Sequence, residues 1–268
     1  WRRARAFHPA LARVARLLVP AVLGGAAYQI NVLVGTLLAS FLPEGSVSYL
    51  YYAERLLEFP LGVVAMAGAT AVMPSLAREA AAGDAAALRS TFGYAFRMVS
   101  FLTLPAMAGL ILLGEPIVVL LFQRGEFGAE SVRLTTQALL YYAVGLWAFS
   151  AVRIVVAAFF ALQDSRTPVR VATMSILANV ALGVVLMRPL AHGGIALAAS
   201  LASFFNLALL LLALRKKLTA VDWRAIGASL GRSLVSTLVM AAGVAFMART
   251  VMDQRPATVS GLAACMAA

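Results

Sequence analysis

The sequence predicts an all-α fold, a polytopic bundle of transmembrane helices. Of the 268 residues, 62% are hydrophobic and only 12% are charged, whereas soluble domains hold roughly 45 to 50% apolar and about 25% charged residues. Apolar runs of about 20 residues, long enough to cross a bilayer, recur along the chain. Several of these runs are apolar on every face, which argues against the alternative of a soluble helical bundle.

The apolar runs divide the chain into about seven full spans and one truncated span, preceded by a basic segment at 1–16. The full spans are predicted at about 17–40, 49–74, 92–113, 134–161, 169–187, 194–213 and 230–248, and the truncated one at 256–268. We expect Pro74 to end the second span, Gly114-Glu-Pro116 to break the third, and Arg188–Gly194 to connect the fifth to the sixth. Because the chain lacks an initiator Met and stops within an apolar run, we expect it to be a portion of a longer protein.

The net charge of +11 is distributed unevenly between the two sides of the predicted bundle. Most Lys and Arg residues lie in the segments 1–16, 75–97, 162–170 and 214–232. Cytoplasmic loops of membrane proteins carry such an excess, so these segments are predicted to face the cytoplasm. No basic face interleaved with aromatic residues is present, so nucleic acid is not an expected partner.

The second span carries three charged residues, Glu54, Arg55 and Glu58, within its first turns. A charge in the bilayer core costs about 2.5 to 3.5 kcal/mol on insertion scales, and arginine cannot lose its proton to escape that cost. One interpretation is that Arg55 and Glu58, three residues apart, pair as a neutralised packing element. The other is that Arg55 faces a wet cavity and binds an anionic ligand such as a phosphate, with Glu58 or Glu54 orienting it.

Two further residues inside the spans are candidates for function. Pro60 lacks a backbone donor and is predicted to kink the second span, which makes it a candidate hinge. Arg153 lies inside the fourth span, where it either snorkels to the cytoplasmic interface or lines the cavity. Asn31 and Asn179 are also polar positions within spans, and hydrogen bonding between helices is the default role of such residues.

Nothing in the sequence predicts an enzyme, a metal site or a cofactor. The single cysteine, Cys265, excludes a disulfide framework within the chain, and His8 and His192 lack the spacing of a metal-binding pair. No Ser-His-Asp or Cys-His arrangement and no phosphate-binding glycine loop is present. We therefore expect no catalytic residues.

Several short motifs carry a resemblance to a known family. They are Tyr51-Tyr-Ala-Glu-Arg-Leu-Leu-Glu-Phe-Pro-Leu-Gly62, Met73-Pro-Ser-Leu76, Leu121-Phe-Gln-Arg-Gly-Glu-Phe127 and Gln163-Asp-Ser-Arg-Thr-Pro168. In this order they resemble the MurJ (MviN) lipid II flippases, which belong to the multidrug/oligosaccharidyl-lipid/polysaccharide exporter superfamily. The resemblance covers about 1–215 and places the chain in the C-terminal portion of such a protein.

The resemblance implies a multi-pass protein of the bacterial inner membrane that flips lipid II, the undecaprenyl-diphosphate-linked peptidoglycan precursor, to the outer leaflet by alternating access. It implies that 17–215 form the second six-helix lobe and that 216–268 form a C-terminal helix pair whose last helix is truncated. The first lobe, which this chain does not contain, is an implied partner, as are membrane lipids. The required cavity arginine of the family falls on Arg55.

The resemblance also implies an ion site that this sequence fits poorly. Some family members bind sodium between the first and fifth spans of this half through acidic residues, but Asn31 and Asn179 are the polar residues there. Sodium coupling by that route is therefore in doubt. The alternatives are another transporter of the superfamily, either a polysaccharide-lipid flippase or a cation-coupled drug exporter, and a membrane scaffold that transports nothing.

Overall fold

The computed structural model describes residue 29 and residues 32–219 and 221–253, with side chains described to residue 248. Every regular element among these residues is a helix. The helices are α1 (32–39), α2 (Ser46–Pro60), a π-helix (Leu61–Met66), α3 (Ala67–Ala81), α4 (Ala85–Phe122), α5 (Ala129–Ala161), α6 (Arg166–Lys217) and α7 (Trp223–Asp253). The basic segment 1–16, Asn31 and the predicted truncated span at 256–268 lie outside the described residues.

Five continuous helical stretches among the described residues are long and apolar enough to cross a membrane, as judged by length and composition. The stretches are Ser46–Ala81, Ala85–Phe122, Ala129–Ala161, Arg166–Lys217 and Trp223–Ala248. The first of them joins α2, the π-helix and α3 end to end. The predicted fold class, an all-α polytopic bundle, is confirmed.

The 52 residues of α6 form a hairpin, because the chain reverses direction at Ala191. Ala191 has φ 48° and ψ −131°, a backbone conformation that is costly for any residue with a Cβ. The two sides of the reversal touch, because a Cβ atom added to Gly194 would clash with the carbonyl oxygen of Leu186. In one straight helix these two residues, eight apart, would be separated by about 12 Å. We call 166–190 the first arm and 192–217 the second arm. The arms match the fifth and sixth predicted spans, but one residue, not a loop, reverses the chain.

The bundle has two ends, which we name by their charge and position. The basic end carries the turns 82–84 and 162–165 and the residues 218–219 and 221–222 between α6 and α7, and it is the end predicted to face the cytoplasm. The distal end carries the turns 40–45 and 123–128 and the reversal at Ala191. Two contacts of His192 show that α2, α5 and the reversal of α6 meet at the distal end. Its ring lies 5.6 Å from the ring of Tyr49 in α2, and its Nε2 atom lies 2.9 Å from the carbonyl oxygen of Leu134 in α5.

The central element is α5, which packs against α2, α3, α4 and α6. Large side chains such as Phe159 are fully buried on it. Two hydrogen bonds inside the bundle join α5 to its neighbours: Trp147 Nε1 donates to Ser100 Oγ of α4 at 3.0 Å, and Ser200 Oγ of α6 donates to the carbonyl oxygen of Tyr141 at 2.7 Å. Because buried donors left without partners are costly, these bonds help to fix the register of α4 and α6 against α5.

Two predicted interruptions are wrong. Pro74 does not end the second span, since α3 continues through it to Ala81. Gly114-Glu-Pro116 does not break the third, since α4 runs on to Phe122. A proline removes one hydrogen bond from a helix, but packing supplies most helical stability in proteins. Here Val118 is fully buried in a cluster that also contains Leu139 of α5, and this packing holds the end of α4 in helical form.

Asp164 joins the two arms of α6 at the basic end. Its carboxylate accepts hydrogen bonds from the backbone N–H groups of Arg166 and Thr167 and from Thr167 Oγ1, and it lies 2.8 Å from Lys217 Nζ. Partial burial raises the pKa of Asp164, but the hydrogen bonds from Lys217 and Thr167 outweigh this effect and lower the pKa to about 2. The Gln-Asp-Ser-Arg-Thr-Pro motif therefore caps the start of α6, and its Asp164 also forms an ion pair with Lys217 at the end of that helix.

Replacing Asp164 by Asn is expected to lower the free energy of unfolding at pH 7 by about 1 to 3 kcal/mol, because a charge-assisted contact is lost. A carboxyl whose folded pKa is depressed stabilises the fold above its ordinary pKa, which is 3.8 here, and loses this effect as the pH falls towards 2. The difference in the free energy of unfolding between the wild type and Asp164→Asn should therefore be smaller at pH 3 than at pH 7. Thermal unfolding in detergent measures it. Asp84→Asn is the matched control, because Asp84 caps α4 with no described lysine contact; an equal loss in both variants would contradict a role for Lys217.

Candidate functional site

The charged part of α2 forms a half-exposed site around Arg55. The Arg55 guanidinium contacts the Glu58 carboxylate, with Nη1 2.7 Å from Oε2, and its Cζ atom lies 4.9 Å from the centre of the Tyr51 ring. The side chain of Arg55 is 50% exposed and that of Glu58 is 37% exposed. Arg55 therefore lies between an aromatic ring one turn before it and a carboxylate one turn after it.

The opposite face of α2 holds this site in place. Leu50, Ala53 and Leu57 are buried and set the rotation of the helix. Tyr51, Arg55 and Phe59, spaced four residues apart, consequently lie on the exposed face. Phe59 is 75% exposed, so an apolar surface continues from the arginine along the helix towards the basic end.

Both interpretations of Arg55 find support in this geometry. The pair with Glu58 exists, as the first interpretation predicts. Ion pairs with this exposure contribute only about 0 to 1 kcal/mol, so the pair is too weak to lock the guanidinium. Glu58 contacts Arg55 through Nη1, and a guanidinium has five N–H donors, so an anionic ligand can share or replace the carboxylate.

A cluster of aromatic rings links the site to the turn at the distal end. The ring of Tyr52 lies 4.9 Å from that of Phe122 and 5.3 Å from that of Phe127. Tyr51 in turn contacts Tyr52, with ring centres 5.8 Å apart. Two separate sequence motifs, around Arg55 and around Gly125, therefore meet in space. All four rings lie within the two quoted sequence motifs, but nothing in the sequence predicted that they contact one another.

Pro60 lies directly before the π-helix, two residues beyond Glu58. The Ala67 N–H donates to the carbonyl oxygen of Gly62, five residues back, which is the pattern of a π-helix. Wide turns of this kind inside α-helices occur frequently at functional sites. Pro60 itself is buried. A kink was predicted at Pro60; the structure shows a wide turn directly after Pro60 within an unbroken helical stretch, and the role of Pro60 as a hinge stays a prediction.

If the wide turn acts as a hinge in the transport that the family resemblance implies, Pro60→Ala is expected to slow that transport in the full-length protein. Its thermal stability should be unchanged or higher, because alanine is about 3 kcal/mol more favourable than proline in a helix interior. Pro74→Ala is the matched control, since Pro74 lies in the same helical stretch but within regular α-helix. Transport rates in proteoliposomes decide the matter. Equal rates for the two variants would contradict a hinge at Pro60.

Of the other predicted site residues, Arg153 lies far from Arg55, whereas Glu54 directly precedes it in the chain. Arg153 is half-buried on α5; at the α-helical rise it lies about 36 Å from the distal start of its helix, whereas Arg55 lies about 14 Å from the start of α2. One phosphate group therefore cannot contact both arginines. Glu54 is half-buried next to Arg55 in the chain. Roles for Arg153 and Glu54 in binding stay predictions.

Asn179 is buried on the first arm of α6, on the face that packs against α1. Gly183 lies one turn further along the same face, and it packs so closely against α1 that an added Cβ atom would lie 2.8 Å from Leu38 Cδ1. Asn31, its predicted partner in an ion site, lies outside the described residues. In the part of the chain that the structure describes, no group of three or more His, Cys, Asp or Glu residues could hold a metal ion.

An open cleft of about 300 Å³ lies at the distal end, between the 40–45 turn, the start of α5 and the reversal of α6. Glu44, Tyr49, Arg133, Gln137 and His192 are among its lining residues. Arg133 is already paired with Glu130 at 2.6 Å. Sequence reasoning found no role for His192, because its contacts depend on the folding back of α6.

These features place the protein in the class of multi-pass α-helical membrane proteins that carry a charged site on one helix. The model of the family described as "Lipid II flippase MurJ" matches residues 1–264 of the chain. The chain belongs to this family.

Individual relatives agree with the family match. The chain is 38% identical over 202 residues to a protein of Vibrio cholerae and 41% identical over 202 residues to one of Rhizobium meliloti, each named "Probable lipid II flippase MurJ". Each alignment covers 75% of this chain but 38% of the relative, so the matched part of the chain spans well under half the length of these proteins. A solved structure titled "Lipid II flippase MurJ, inward closed conformation" superposes with a TM-score of 0.69 over 94% of this chain and 57% of that one, at 22% identity. This last likeness shows the shared fold.

Proposed function

We propose that the full-length protein containing this chain flips lipid II from the cytoplasmic to the outer leaflet of the bacterial inner membrane by alternating access. Membership of the family is the observation that carries this proposal. The half-exposed Arg55 on a membrane helix supports it. The protein moves its substrate and changes no covalent bond, so it is a transporter and not an enzyme.

The chemistry of the ligand explains why an arginine stands on α2. A diphosphate on a polyprenyl chain is an anion that must cross hydrocarbon, and removing such a charge from water is very costly unless it is paired. Arginine replaces the lost water with two parallel hydrogen bonds to neighbouring oxygens. Phe59 then continues the exposed face with apolar surface. We assign Arg55 to the diphosphate and Glu58 to the orientation of its guanidinium.

The chain supplies only part of this machinery. We propose that 17–215 form the second lobe, that 216–268 form the C-terminal helix pair, and that the first lobe of the same protein closes the cavity opposite α2. Rocking of one lobe against the other gives alternating access in transporters of this kind. Asn31 and Asn179 bring no acid to the space between their spans, so we propose no sodium coupling by that route.

Depletion of the intact gene tests the proposal. Cells that lose the protein should stop growing, and lipid II should disappear from the outer leaflet and accumulate on the inner one. Accessibility of the lipid-linked sugar to an enzyme added outside the cell measures this distribution. Unchanged outer-leaflet lipid II after depletion, in cells with no second flippase, would show that the protein does something else.

A further inference from the structure

Tyr51 and Glu58 hold the same guanidinium in different ways. Glu58 occupies Arg55 Nη1 with a carboxylate oxygen at 2.7 Å, so it uses a donor and cancels charge. Tyr51 attracts Arg55 through its ring, 4.9 Å from Cζ. A ring attracts a cation without accepting a conventional hydrogen bond from it and without neutralising it. An incoming anion therefore competes with Glu58 but not with Tyr51.

Tyr51 is itself held by neighbours that do not depend on Arg55. Tyr51 lies against the edge of Tyr52, with ring centres 5.8 Å apart at 75°. Tyr52 is fixed in turn by Phe122 and Phe127, and offset or edge-on ring pairs of this kind are favourable beyond their buried area. The position of the Tyr51 ring is thus set by the turn at the distal end.

From these contacts we propose that Tyr51 is a positioning residue for Arg55, which keeps the guanidinium on the exposed face of α2 while a diphosphate displaces Glu58 from it. The proposal rests on the proposed function, because it needs Arg55 to bind a phosphate. It assigns Tyr51 no contact with the ligand. Its role is to remove the freedom that the arginine side chain would otherwise regain when Glu58 leaves.

Binding of a short polyprenyl diphosphate, farnesyl diphosphate, to the purified full-length protein tests this role. Tyr51→Ala should raise the Kd by about two- to five-fold, the effect of a cation–π contact at a half-exposed site. Tyr51→Phe should bind as the wild type does, since the ring remains. Neutral farnesol, titrated in parallel, should show no difference among the variants. Tyr51 is 53% exposed, so its removal leaves no core cavity, and thermal unfolding of each variant checks this.

The background of Arg55→Ala separates positioning from a structural role. With no cation to hold, the further change Tyr51→Ala should leave the Kd of Arg55→Ala unaltered. The proposal is overturned if Tyr51→Ala raises the Kd by the same factor in the wild type and in Arg55→Ala. It is also overturned if Tyr51→Phe binds as weakly as Tyr51→Ala. If Arg55→Ala weakens binding while Tyr51→Ala does not, only the role of Tyr51 is refuted. If Arg55→Ala binds as tightly as the wild type, the proposed phosphate site itself is refuted.

Discussion

Arg55→Ala in the full-length protein is expected to abolish growth of a cell depleted of its own flippase, while the protein still inserts and folds. The change removes the one charge that α2 presents on its exposed face beside Tyr51. It also releases Glu58, which is then left as an anion where an anionic ligand must bind. Complementation on plates, with membrane levels of the protein measured by immunoblot, provides the readout. Normal growth of the variant would contradict the phosphate site.

Two companion variants separate charge from geometry. Arg55→Lys keeps the charge but loses the planar fork that grips two oxygens at once, so growth should also be impaired. Arg133→Ala is the matched control, because Arg133 pairs with Glu130 at the same spacing of three residues but lies at the surface with 70% of its side chain exposed. Near-normal growth is expected for it. Full activity of Arg55→Lys would show that charge alone suffices.

Gly194→Ala is expected to destabilise the lobe by at least about 3 kcal/mol, at the upper end of what overpacking costs. The new Cβ would meet the backbone of the first arm, with the Leu186 carbonyl oxygen at 2.1 Å and its carbonyl carbon at 2.4 Å. Backbone atoms cannot rotate away as a flexible side chain can, so the two arms would have to separate. Thermal unfolding of the purified protein in detergent measures the effect.

Gly109→Ala serves as the control for this substitution. Gly109 is a helical glycine of α4 whose added Cβ would meet nothing within 4 Å. In the absence of a clash, alanine is preferred over glycine in a helix by about 0.5 to 1 kcal/mol. Unfolding at the same or a slightly higher temperature is therefore expected. A Gly194→Ala protein as stable as Gly109→Ala would show that the hairpin can open at no cost.

The sequence predicted the helical class, and the pair at Arg55 was one of the two interpretations that it left open. Both follow from local rules, since apolar run length identifies membrane helices and a spacing of three residues lets Arg55 and Glu58 touch. A kink at Pro60 was predicted from the missing backbone donor of proline. Its form as a π-helix was not, because a missing donor can be accommodated as a kink, a wide turn or an ordinary helix.

What the sequence could not show depends on partners far along the chain. Pro74 and Pro116 looked like helix ends, but α3 and α4 continue through them under the packing of α5. The rings of Phe122 and Phe127 reach Tyr52 only because the distal turn folds over the start of α2. Single-sequence periodicity contains no information on such contacts.

The contact between Asp164 and Lys217 has a further consequence for the dynamics of α6. The two arms are joined at one end by the reversal at Ala191 and at the other by this ion pair, so neither arm has a free end. Local opening of either arm must break contacts of the other, and the two should therefore behave as one cooperative unit in amide hydrogen exchange. Equal protection along both arms is expected, and loss of the ion pair should let the ends at the basic side exchange first.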